Sequence, residues 1–160
     1  MSLARRLLTI CLVFTSLGAA NAQTPEAQIH RAAKLALNSY GEGYAAALLN
    51  QVVPAPLLEG PADAARPFKF AQGEMSLWGS AKAHSLTVTQ LRLKHGDLPD
   101  LGLQIGVTPV DNLVRDYGQP EKREAHRLVY RGIAEICVDH LVFHIGQGVL
   151  QGIEWDWCYD

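Results

Sequence analysis

The chain has 160 residues, nearly half of them hydrophobic, with 14 Lys and Arg against 16 Asp and Glu. That length suits one domain of ordinary size. A formal charge of −2 leaves no electrostatic footprint for nucleic acid or an anionic lipid surface.

In chain order, the first element is an export signal. Arg5 and Arg6 form a short basic region, Leu7 to Leu17 is apolar, and Ala20-Asn21-Ala22 places small residues where a signal peptidase reads. Cleavage after Ala22 is expected, leaving residues 23–160 as a single exported α+β domain, periplasmic or secreted. The apolar run is shorter than the ~20 residues that cross a bilayer, so stable membrane insertion is not expected. Cys11 lies inside the run, but the bulky Ile10 before it does not fit a lipoprotein cleavage box. The signal holds two of the cations and no acid, so its removal takes the net charge from −2 to −4.

Thr24-Pro25-Glu26 reads as a helix start, with a capping hydroxyl, Pro in the first turn and an acid near the positive dipole end. Ile29, Ala33, Ala36, Leu37, Tyr40, Tyr44 and Leu48 follow at helical spacing, while Gly41 and Gly43 interrupt the stripe. The pattern allows one weakened helix or two short ones with a bend. Pro54, Pro56, Pro61 and Pro67 mark a surface connector. Short strands are expected at Phe68 to Phe70 and Met75 to Trp78, with a longer one from Ser85 to Leu93. In the last, Leu86 and Val88 have one parity and Leu91 and Leu93 the other. Such a phase slip suggests a bulge or a strand buried on both faces.

Gly106-Val107-Thr108-Pro109-Val110-Asp111 predicts a second helix, capped by Thr108 with Asp111 reaching back. Val110, Leu113, Val114 and Tyr117 form its apolar stripe, and Gly118 and Pro120 end it. Leu128-Val129-Tyr130 is a strand, and Ile136 to Ile145 and Val149 to Tyr159 form a hairpin through Gly146-Gln147-Gly148. A three-residue loop pairing Ile145 with Val149 sets Cys137 opposite Trp157. It gathers Leu141, Phe143, Ile145, Val149, Ile153 and Trp155 on one face and leaves Cys158 on the other. Because a direct cross-strand disulfide needs both sulfurs on one side, either the turn has two residues or a bulge lies near 137–139 or 154–157. The bulge is preferred, because it keeps the apolar face together. Cys137 and Cys158 survive signal cleavage, and in an oxidising compartment such a pair is expected as a disulfide rather than as separate buried thiols.

The residues Gly106-x-Thr108, the apolar helix, Tyr117-Gly118-x-Pro120, Leu128-Val129-Tyr130 and the hairpin Leu141-Val142-Phe143…Gly148-Val149-Leu150…Ile153 resemble the SmpA/OmlA-type (BamE-like) outer-membrane assembly lipoproteins. They are also similar to one repeat of the secreted β-lactamase inhibitor protein family. The resemblance covers about residues 101–158. It implies an α+β fold with helical elements packed on one face of an antiparallel sheet of four or more strands, and a role in binding other proteins. The Gln23 to Pro99 segment falls outside it, and the assembly factors are lipid-anchored, whereas no lipoprotein cleavage box is expected here.

No catalytic constellation is expected. His140 and His144 share a strand face but stand about 13 Å apart at ~3.3 Å per residue, too far for one metal, so no metal site or cofactor is assigned. Glu154 and Asp156 point the same way on one strand, with Asp139 as a candidate opposite them. This is the kind of carboxylate set a small cell-wall hydrolase would use, but it flanks a chain end that looks open. Alternation places Trp155, Trp157 and Tyr159 on one side and Glu154, Asp156 and Asp160 on the other. The plain reading is core and wet face. The functional reading is an acidic sheet face, with Glu135 or Asp139 nearby, that docks a partner with a basic surface. Trp78 and Tyr130 are candidate aromatic anchors, with burial in the core as the alternative for each.

Together these features point to a periplasmic or secreted, non-enzymatic protein-binding module of inhibitor or immunity type, whose partner is another envelope or secreted protein. An envelope assembly accessory and a small cell-wall hydrolase are the alternatives. The disulfide closes a loop worth roughly 3 kcal/mol through the unfolded state. Reduction should raise the intact mass by two hydrogens, whereas ready thiol labelling of the native protein would exclude the link.

Overall fold

The computed structural model describes residues 24–51, 53–59, 65–79, 85–132 and 138–158. The expected signal segment, Glu135, Cys137, Tyr159 and Asp160 lie outside the described residues. Three helices lie on one face of a seven-stranded antiparallel sheet, the α+β arrangement expected.

Helix α1 (Pro25–Gln51) is one continuous helix of 27 residues. Thr24 caps it as expected, its Oγ1 accepting the Ala27 N–H at 3.3 Å. The buried stripe is Leu37, Gly41, Ala45 and Leu48, and Ile29 is left 65% exposed. Gly41 is therefore a contact position and not a break. A β-carbon there would sit 2.6 Å from the Trp155 ring, while one at Gly43 would meet nothing within 4 Å. The connector holds one helical turn, α2 (Ala55–Leu58), whose Leu57 and Leu58 rest against the core. The buried Arg66 clamps this turn to the sheet, donating from Nε to the Leu57 carbonyl at 2.9 Å and from Nη2 to the Gly79 carbonyl.

The sheet is formed by β1 (Arg66–Phe70), β2 (Gly73–Trp78), β3 (Thr87–Leu93), β6 (Lys122–Glu124), β7 (Arg127–Arg131), β8 (His140–Gly146) and β9 (Val149–Asp156). Their spatial order is β1-β2-β3-β9-β8-β7-β6. The last strand thus lies inside the sheet and joins the meander 66–93 to the C-terminal strands. A separate ribbon, β4 (Asp97–Leu98) and β5 (Leu103–Gln104), encloses a single 3-10 turn. Pro67 is accommodated because β1 is an edge strand.

Cross-strand register divides the side chains into rows. Phe68, Met75, Leu91, Trp155, Leu141 and Tyr130 form one row toward the helices, and Phe70, Gly73, Leu93, Ile153, Phe143 and Leu128 form the next. The phase slip in β3 is a bulge: Ser76 pairs with Gln90 and Leu77 with Val88, so Thr89 has no partner on β2. Its carbonyl instead accepts the Trp157 N–H at 2.9 Å.

The β8–β9 hairpin differs from the preferred register. Gly146 pairs with Val149, giving a two-residue turn in which Gln147 (φ 52°) and Gly148 (φ 79°) are both left-handed. A bulge is present as well, but next to the turn. Ile145 pairs with Leu150 and His144 with Gly152, so Gln151 is the extra residue. Leu150, fully buried, replaces Val149 on the core face. The cause is the loop before α3. Gly106 donates to the Leu150 carbonyl at 2.7 Å and the Leu150 N–H donates to the Thr108 carbonyl at 2.8 Å, bonds that hold Leu150 out of regular β8–β9 phase.

Helix α3 (Val110–Tyr117) forms where the capping pattern placed it, but the cap itself is a correction. Thr108 is buried, and its Oγ1 accepts the Gln104 N–H at 2.8 Å within its own tight turn, so it does not cap the helix. The Val110 N–H is satisfied by the Gly148 carbonyl at 3.0 Å, tying the start of α3 to the hairpin turn. At the other end, Tyr130 Oη donates to the Gly118 carbonyl at 3.0 Å, and His30 Nε2 of α1 donates to the Arg115 carbonyl at 3.0 Å.

Candidate functional site

All three helices pack on the same side, so the opposite face of the sheet is covered by no described helix or strand. Its central row runs Lys69, Glu74, Arg92, Glu154, Val142 and Val129, and the next runs Pro67, Ser76, Gln90, Asp156, His140 and Arg131. Charges alternate along the first row, so each acid meets a base on a neighbouring strand. Lys94 Nζ lies 2.9 Å from Glu74 Oε1, which holds the Glu74 carboxyl below its usual range.

The most buried part of the face centres on Glu154. His144 Nε2 donates to its Oε2 at 2.7 Å, and Gln90 Nε2 donates to its Oε1 at 3.1 Å. The His144 bond chiefly lowers the Glu154 pKa, helped by the charges of His144, Arg92 and Arg127, and these together outweigh burial. Arg92 Nε is buried and stands 4.0 Å from Glu154 Oε2, too far for a hydrogen bond. The strand histidines are thus half-buried partners of acids: His144 is paired with Glu154, and His140 stands opposite Asp156.

The acidic docking face takes a different form here. Glu154 is neutralised within the sheet. Asp139 is buried, its Oδ1 accepting the Cys158 N–H at 2.9 Å and its carbonyl accepting the Gly132 N–H at 2.7 Å, so it secures the chain end. Asp156 alone of the three stays exposed. Burial by its neighbours raises its pKa, with Glu154 and Asp139 adding to the effect and His140 opposing it. Lys69, Arg92, Lys94, Arg127 and Arg131 share this face with Glu74, Glu154 and Asp156, so it is mixed in charge and a basic partner is not singled out. Of the carboxylates set out for a hydrolase, Glu154 is held by His144 and Asp139 by the Cys158 N–H.

The two aromatic candidates separate. Tyr130 is a core residue, 2% exposed, set edge-on to Phe143 with centroids 5.5 Å apart, and burial pushes its pKa up to about 12. Trp78 is 44% exposed and lies on the uncovered side of β2, since Met75 and Leu77 take the core side. Trp155 and Trp157 are core, as the plain reading expected. Sequence reasoning missed the His144–Glu154–Arg92 group, because the pairing depends on the bulge at Gln151 and on β9 lying beside β3.

Among the described residues, no group of three or more His, Cys, Asp and Glu gathers as a metal shell, and no helix is long and apolar enough to cross a membrane. Compared with known protein families, characterised proteins and solved structures, the chain matches none.

The lowered pKa of Glu154 has a defined consequence. The carboxyl ionises at lower pH in the folded chain than in the unfolded one, so its stabilisation is complete above the ordinary value of 4.5 and is lost as pH falls through the folded value. Glu154→Gln removes this term. Denaturant midpoints measured from pH 7 to pH 3 should fall less steeply for the variant than for the parent; parallel curves would show that the pair contributes nothing.

Proposed function

We propose that this chain is an exported, periplasmic or secreted protein-binding module of inhibitor or immunity type that docks an envelope or secreted protein on its uncovered sheet face. The observation that carries the reading is Trp78, a large aromatic left 44% exposed on that face. Exposed tryptophans anchor interfaces when a partner desolvates them, and neighbouring mixed charges set orientation more than affinity. The likeness to the assembly lipoproteins and the secreted inhibitors points toward protein binding too. In the same reading Cys137 bonds Cys158, as the oxidising compartment that an export signal implies favours.

An envelope assembly accessory is the second reading. It is favoured by residues 101–158, which contain α3 and the contiguous strands β6 to β9, the part of the chain that carries the resemblance.

Affinity capture from the envelope and secreted fractions of the source organism, with the parent chain and Trp78→Ala in parallel, tests the docking face. The substitution lies on an exposed side chain and should leave the thermal midpoint unchanged while weakening the captured partner about tenfold or more. Equal retention by both forms would remove the sheet face as the binding surface.

A further inference from the structure

A cleft of about 390 Å³ lies at the end of the sheet where three turns meet. Val110 and Asp111 line it from the start of α3, Arg123 and His126 from the β6–β7 hairpin, and Ile145 and Gln147 from the β8–β9 turn. It shares no residue with the uncovered face and does not depend on the reading above.

Its walls are held by backbone bonds. Val110 donates to the Gly148 carbonyl at 3.0 Å, and Ile145 donates to the His126 carbonyl at 2.9 Å. Both bonds join different turns, so the three sides cannot move apart independently. Gln147 keeps φ at 52°, in a turn position that Asn or Gly fills at lower cost. Retained backbone strain of this kind clusters at ligand sites.

The charged groups around the cleft are free. Lys122 Nζ lies 2.7 Å from Glu124, and Arg127 Nε donates to the same carboxylate at 2.8 Å. Arg123, between them in sequence, has no hydrogen-bond or ion-pair partner among the described residues. The same holds for the side chains of His126 and of Asp111, whose expected capping role is not realised. Two nitrogen-bearing side chains and one carboxylate thus line a single cleft without pairing with one another. An Arg guanidinium matches a carboxylate with two parallel bonds, and a lone Asp complements an ammonium. Val110 and Ile145 add apolar residues to the lining, and the volume falls within the range of small-molecule sites.

We propose that this cleft binds a small zwitterion, an amino acid or short peptide, with its carboxylate on Arg123 and His126 and its ammonium on Asp111. Amide NMR titration of the purified chain with glycylglycine, acetate and ethylamine, each to about 50 mM, tests it. Glycylglycine should give saturable shifts at Gly146, Gln147 and Gly148, with acetate and ethylamine each at least tenfold weaker. Arg123→Ala should weaken glycylglycine tenfold or more. Asp111→Asn should weaken glycylglycine but leave acetate unchanged. Both side chains are exposed, and matching spectra of the free variants establish that they fold. No saturable shift at the three amides would overturn the proposal, as would acetate binding as tightly as glycylglycine.

Discussion

The contact between Trp155 and Gly41 determines how the rest of the molecule fits together. Trp155 is 1% exposed near the C-terminal end of β9, and its ring occupies the space that a side chain at position 41 would fill. Its Nε1 donates to the Leu37 carbonyl at 3.1 Å one turn earlier in α1, so the indole is both packed and bonded to one helix. Trp157 repeats the contact at a stacked distance of 6.4 Å, donating to Asn38 Oδ1 at 3.0 Å. Burying a Trp is worth about 3–5 kcal/mol against truncation, a large share of the stability of a domain this size.

The division of the sheet follows from that contact. Once Ile153 and Trp155 face the helices, Glu154 and Asp156 must face away, and the register places Arg92 and His144 beside Glu154. The polar face is therefore a consequence of how the core is packed. Its charges are largely consumed inside the sheet, which is why an exposed aromatic, and no acidic patch, is the feature that points to a partner. The turn end of the hairpin is different, because its side chains are left without internal partners.

Much of the fold was legible from local pattern. The phase slip among Leu86, Val88, Leu91 and Leu93 identified a bulge that the structure places at Thr89, and the helix at Val110–Tyr117 lies where its stripe put it. The misreadings came from contacts that helix and strand periodicity do not encode. Gly41 looked like a break because Trp155 is more than a hundred positions away. Thr108 looked like a cap because its competing acceptor role, for the Gln104 N–H, requires a turn that helix-start patterns do not encode. The hairpin needed both a two-residue turn and a bulge, since the loop before α3 takes up the backbone of Leu150. Of the candidate site residues, Trp78 and Asp156 remain exposed. Asp139, Glu154 and Tyr130 were drawn into structural roles by contacts that composition and alternation do not reveal.

The two α1 glycines allow the central contact to be measured against an internal control. Ala is better than Gly by about 1 kcal/mol in a helix interior, so Gly43→Ala, with open space around it, should raise the unfolding free energy by up to that amount. Gly41→Ala gains the same propensity but forces a methyl into the Trp155 ring, and overpacking of about 1–3 kcal/mol should leave it less stable than the parent. Denaturant unfolding of the two single variants should therefore move the midpoint in opposite directions. If both variants were stabilised alike, Trp155 would not be seated on Gly41, and the account of how α1 is held to the sheet would be contradicted.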